Sequence, residues 1–234
     1  MKKWTWVLLL LCCLWAGCRA DDDPAPARVK ELVAAIVRHQ MPDGALRMTT
    51  TGNEVAVIPD VANLTVYALL EAADEYEELR GVVQAPAEAY LVWFATQATG
   101  QGVAEHYQGT LDGYVAEGEL KLLPGTAASY LLAAGQYRDQ FKRKFPEIVG
   151  TASAQAAQLL KTALENDDPA LSAARPSARL ELALALRHGA ELFRDLGRRD
   201  LARELRRTTL NSGKTADLNL VQLYENLMLE LDKD

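Results

Sequence analysis

The apolar positions of this chain recur mostly with a helical period. Val29, Leu32, Val33, Ile36 and Val37 fall at i, i+3, i+4, i+7 and i+8, one face of a helix that Pro42 and Gly44 stop near Gln40. The same spacing predicts a helix over 61–78, with Leu64, Ala68, Leu69 and Ala72 on one side, and an aromatic-rich helix over 85–98 with Tyr90, Trp93 and Phe94. Pro124-Gly125-Thr126 opens a helix to about Lys144, and others are expected over 147–164, 176–196, 200–210 and 216–232. Two stretches break the pattern. Ala45 to Pro59 sets Thr49-Thr50-Thr51-Gly52-Asn53 between the β-rich runs Leu46 to Met48 and Val55 to Ile58, and Gly100 to Leu123 contains Gly102, Gly109, Gly113 and Gly118. Helix, long Gly-containing loop, helix thus occurs at 28–78 and 85–144, with a shorter version at 147–196, a repeat of about 60 residues. The expected fold is all-α: an incomplete α/α toroid of helical hairpins, with small β-hairpins in loops that share one rim. Periodicity does not separate this from an irregular helical bundle.

The first segment follows other rules. Lys2 and Lys3 precede an uncharged run from Trp4 to Trp15, too short to span a bilayer and of the length of a signal-peptide core. Ala16 and Gly17 then supply small side chains before Cys18. Leu14-Trp15-Ala16-Gly17-Cys18 resembles a bacterial lipobox, apart from Trp15 where a smaller aliphatic residue is usual. The resemblance implies that residues 1–17 are a lipoprotein signal peptide and that Cys18 carries lipid. Residues 18–27, with Asp21-Asp22-Asp23 and Pro24-Ala25-Pro26-Ala27, read as a polar tether, leaving 28–234 as a single helical domain.

Cysteine use and charge narrow the chemistry. Cys12, Cys13 and Cys18 are the only cysteines of the 234 residues, so the expected exported domain has no internal disulfide, catalytic thiol or zinc-thiolate site. Cleavage after residue 17 removes Lys2 and Lys3 from a chain with 25 Lys and Arg and 32 Asp and Glu, so a net charge of −7 becomes −9. An acidic domain argues against nucleic acid as a partner. The expected partners are the membrane, through lipid on Cys18, and a glycan or an envelope protein; the expected location is the cell envelope.

Two groups of residues carry a further resemblance. His39-Gln40-Met41-Pro42-Asp43-Gly44-Ala45 is followed by Ile58-Pro59-Asp60-Val61-Ala62-Asn63-Leu64, and later come Gly109-Thr110-Leu111-Asp112-Gly113-Tyr114 and Pro124-Gly125-Thr126-Ala127-Ala128-Ser129-Tyr130. Together these resemble the first two repeats of the six-hairpin glycosidase superfamily, the (α/α)6 barrels, with their "Q-x-P-D/N-G-A" turn, "I-x-P-Y-F-A-N" helix start and "S-x-D-S-Y-A-A" helix start. Ala183 to Gly197 resembles that group's outer-wall helix. Asp60 stands where the group tends to carry Tyr, and Gly125 where it carries an acid. The resemblance implies a shortened, divergent relative, since a full barrel at this period takes roughly 300 residues or more.

Glycoside hydrolysis uses two carboxylates, one as acid and one as base or nucleophile. The loops supply Asp43, Glu54 and Asp60, then Glu105, Asp112, Glu117 and Glu119. If the loops face each other, Asp43 or Asp60 pairs with Asp112 as the candidate catalytic set. The competing expectation is structural: Asp beside Gly is ordinary turn chemistry, and Asp60 is placed to cap a helix. Trp93 and Phe94 are expected in the core, whereas Tyr107 and Tyr114, in a polar Gly-rich loop, are the candidate ligand-facing aromatics. His39, His106 and His188 stand apart without ligand spacing, so neither a metal nor a cofactor is expected. A carbohydrate-binding protein or a degenerate glycoside hydrolase is the leading expectation; a non-enzymatic helical scaffold or partner-binding lipoprotein of the envelope is the alternative.

Overall fold

A computed structural model of the chain describes residues 27–48, 56–110, 113–141, 146–166 and 176–210. Cys18 and the signal segment, Glu54, Asp112 and the expected helix over 216–232 lie outside the described residues. Within them run α1 (Ala27–Val37), α2 (Pro59–Glu75), a 3-10 turn (Glu77–Leu79), α3 (Arg80–Thr99), β1 (His106–Thr110), β2 (Gly113–Glu117), α4 (Pro124–Phe141), α5 (Glu147–Glu165), α6 (Pro176–Asp195) and α7 (Arg199–Leu210). The described fold is all-α, with one two-stranded antiparallel sheet in which Tyr107 pairs with Ala116 and Gly109 with Tyr114. None of the described helices is long and apolar enough to cross a membrane.

The helices stand in two rows. α2, α4 and α6 pack side by side, α3, α5 and α7 form the second row, and α1 lies against α2 and α3. Each hairpin places one helix in each row: α2 with α3, α4 with α5, α6 with α7. Of the Ala183 to Gly197 segment, residues 183–195 lie in α6, which packs directly on α4 in the first row. α4 is the hub. Every residue from Ala127 to Tyr137 is buried, so over these three turns the helix has no polar face to give to solvent. Its neighbours approach closely because its surface is built from Ala127, Ala128, Ala133, Ala134 and Gly135. A Cβ added at Gly135 would lie 2.3 Å from the Cβ of His188, so the α4–α6 contact needs hydrogen there.

Local chemistry sets the corners. α3 starts at Arg80, five residues before the expected Ala85, and runs through Pro86. Arg80 secures this corner: Nε donates to the Ala73 carbonyl at the end of α2 (3.3 Å), and the guanidinium pairs with Glu77 at 2.5 Å and Asp74 at 3.7 Å. A cation on the last turn of a helix also opposes the partial negative charge there. Lys161 of α5 pairs with Glu204 of α7 at 3.2 Å, a link across the second row. Phe94 of α3 stacks on Tyr130 of α4, with centroids 4.2 Å apart, at the centre of the core where both Trp93 and Phe94 are buried.

Candidate functional site

The Gln40 to Ala45 turn is built against α3. Gln40 Nε2 donates to the Pro86 carbonyl at 2.7 Å and to Gly44 at 3.3 Å, while Met41 N–H donates to Ala45 at 2.8 Å. Gly44 sits at φ 100, and a Cβ there would lie 2.4 Å from the carbonyl oxygen of Ala89. No other residue fits both the left-handed backbone and that contact. Asp43 closes the turn: Ala45 N–H donates to Oδ1 at 3.1 Å, and Tyr114 Oη donates to Oδ2 at 2.5 Å. Trp93 Nε1 in turn donates to Tyr114 Oη. Burial, then the bond to Asp43, holds the Tyr114 phenol above its usual range.

The two irregular stretches meet, as expected of loops on one rim. Asp43 reaches Tyr114 across 71 positions, and Val57 exchanges two backbone bonds with Tyr107 at 2.9 and 2.8 Å. Met48 N–H also donates to Ala56 at 2.8 Å, so the first loop begins to pair with itself before Val57 turns to β1.

Below the loops, the two motif helix starts are joined by a buried network. Asn63, fully buried in α2, donates through Nδ2 to the Thr126 carbonyl (3.2 Å) and to Ser129 Oγ (3.1 Å), both in α4. Its Oδ1 accepts from Tyr90 Oη at 2.9 Å, with the Pro59 carbonyl 3.1 Å away as the other acceptor for that proton. Ser129 Oγ donates to Asp60 Oδ1 at 2.7 Å. Asp60 does not cap α2, whose N-cap is Ile58 without a side-chain cap; it stands in the first turn, where an acid suits the helix dipole, and receives the hydroxyl of a neighbouring helix.

These placements divide the expected site residues. Asp43 and Asp60 both accept hydrogen bonds that hold hairpins together, and they are linked through Tyr114, Trp93, Tyr90, Asn63 and Ser129 rather than directly. Asp112 lies outside the described residues. Tyr107 does not face a ligand: it is 3% exposed, its Oη accepts from Ala104 N–H at 3.2 Å, and its ring meets Trp93 and Tyr114 edge to face. Tyr114 is half-buried in the same aromatic group.

A different site lies at the far ends of α2 and α4, about 20 Å along the helix axes from the loops. A cleft of about 540 Å³ is lined by Asp74, Arg80, Gln136, Asp139, Gln140, Arg187, His188 and Glu191. His188 Nδ1 is 3.3 Å from Asp139 Oδ2, and Tyr67 meets the His188 ring edge to face at 6.2 Å. Burial holds the Glu191 carboxyl above its ordinary value, and the charge of Asp139 and a hydrogen bond to it add to this. Burial likewise raises Glu71, against the opposing influence of Tyr67 and His188, and pushes the Tyr67 phenol up to about 12, with Glu71 the next cause. Two carboxyls that share a hydrogen bond beside an imidazole can hold a proton or a cation between them, and the surrounding Arg, Gln and Tyr groups donate to polar ligands.

Sequence reasoning missed this cluster. His188 and Glu191 stand three apart on one face of α6, a weak signal in a chain rich in Glu, and Asp139 is 49 positions away. No protein-family model matches the chain, and searches of the curated proteins and of the solved structures find no match either.

Proposed function

We propose that this chain is a lipoprotein anchored to the cell envelope through Cys18, whose two rows of helices form an arc of an α/α toroid related to the six-hairpin glycosidases, and which binds a glycan without cleaving it. The observation that carries the reading is the division of labour among the carboxylates. The loop acids Asp43 and Asp60 are engaged in holding hairpins together, through Tyr114 and Ser129. The carboxyls that line the distant cleft, Asp74, Asp139 and Glu191, gather with Arg80, Arg187 and His188 around an open volume, and Tyr67, hydrogen-bonded to Glu71, packs on the His188 ring behind them. That mixture suits a polyol: carboxylates accept hydroxyl hydrogen bonds, and guanidinium and amide groups donate them. The toroid is supported by the alternation of each hairpin between the two rows and by the meeting of the two Gly-containing loops.

The test is calorimetric titration of an oligosaccharide panel into the detergent-solubilised chain, repeated with Asp74→Asn, Arg187→Gln and Asp43→Asn. Binding weakened by the first two and spared by the third is expected. Binding weakened by Asp43→Asn alone would move the ligand to the loops. Absence of any glycan binding would leave the helical scaffold for an envelope protein as the function.

A further inference from the structure

We propose that Asp139, His188 and Glu191 form a binding site for one divalent transition-metal cation, of the zinc type. Each residue offers one ligand atom, and these atoms lie within 4.8 Å of one another, so a single ion can touch all three after small side-chain rotations. The 3.3 Å between His188 Nδ1 and Asp139 Oδ2 already matches the edge of a tetrahedron, which is about 3.3–3.6 Å for bonds of about 2.0–2.2 Å. All three residues are half-buried and line the same open cleft, which gives an ion a path in and leaves room for water in a fourth position.

The platform is rigid for physical reasons. His188 and Glu191 occupy one face of α6, three residues apart. Asp139 stands one turn beyond Gly135 on α4, and the bare Gly135 is what lets α4 approach the backbone of His188. Sites carried on packed helices hold their geometry better than sites on loops. Asp139 also lies in the last turn of α4, where the helix dipole favours positive charge. An imidazole with two carboxylates brings two negative charges to a doubly charged ion. The nitrogen donor selects first-row transition metals over magnesium and calcium, which prefer all-oxygen shells. Arg187 Nε, 3.9 Å from Glu191 Oε1 and beyond hydrogen-bond distance, stands at the edge of the site, where its charge opposes the ion's and the two carboxylates outweigh it. The sequence expectation of no metal rested on ligand spacing within one segment; here the ligands converge from two helices.

The inference stands on this geometry and not on the glycan reading, and its assay contains no glycan. The full chain in detergent is stripped with a chelator and titrated with zinc by calorimetry and with cobalt(II) by visible absorption. One ion per chain is expected, with a cobalt spectrum of four- or five-coordination. Asp139→Asn, His188→Gln and Glu191→Gln should each weaken binding by about tenfold or more while circular dichroism stays native. A variant that fails to fold is set aside and the other two decide. No saturable binding by the native chain, or binding that all folded variants retain, would overturn the proposal. Metal binding with no glycan binding would leave it standing and remove the reading above.

Discussion

Replacing Asn63 with alanine tests the joint between the first two hairpins. The side chain is fully buried and makes three hydrogen bonds: from Tyr90 Oη at 2.9 Å, to Ser129 Oγ at 3.1 Å and to the Thr126 carbonyl at 3.2 Å. Two partners keep alternatives, since Tyr90 still reaches the Pro59 carbonyl and Ser129 still donates to Asp60. A net contribution of about 0.5–1.5 kcal/mol per bond, with a small cavity in addition, gives a loss of about 2–4 kcal/mol. For a chain of this size that lowers Tm by roughly 5–15 °C. Urea unfolding followed by far-UV circular dichroism measures it. Tyr90→Phe removes the hydroxyl alone, and the double variant should cost less than the sum of the two single changes, because both remove the same bond. A loss below about 1 kcal/mol for Asn63→Ala, or strict additivity with Tyr90→Phe, would refute the claim that this network joins α2, α3 and α4.

Three further outcomes are expected. Gly135→Ala should destabilise by about 1–3 kcal/mol, because its Cβ meets His188 at 2.3 Å, whereas Gly125→Ala, with open space at its Cβ, should be neutral or stabilising by up to about 1 kcal/mol in the same urea assay. Glu71 and Glu191 are held above the ordinary value of 4.5, so the native state binds more protons than the unfolded one and their contribution to stability falls as pH rises from that value through the raised ones. Subtracting the Tm–pH curve of the Glu71→Gln, Glu191→Gln double variant from that of the native chain should expose this decline; a difference that is flat or rises with pH would count against it. Cys18→Ser should leave the chain unprocessed or release it from the membrane fraction, and unchanged processing with membrane retention would exclude the lipid anchor.

The helices were legible because burial on one side leaves a period, as in α1, where Val33 is buried and Lys30, Glu31 and Ala34 are exposed. The hub helix α4 was legible from its opening Pro124-Gly125-Thr126 rather than from amphipathicity, since it is buried all round from Ala127 to Tyr137. The motif turn was legible as a motif, and its physics explains the residue types: Gly44 for a left-handed backbone with no room beside Ala89, Gln40 to reach Pro86. Tyr107 was misjudged because its polar, Gly-rich neighbours suggest an exposed loop. The hairpin expected in this loop forms, and alternation along its first strand turns Tyr107 inward while His106 and Gln108 face solvent. The cleft was not legible at all. Asp139, His188 and Glu191 sit among charged positions that read as solvated helix faces, and only the packing of α4 on α6 brings them together.

A ligand held in the cleft between α2, α4 and α6, and not at the loops, would leave its mark in hydrogen–deuterium exchange of the full chain with and without a glycan mixture. Added protection is expected over 67–75, 136–141 and 184–191, with 40–48 and 106–117 unchanged. Protection confined to those two loop segments, or none anywhere, would contradict that placement.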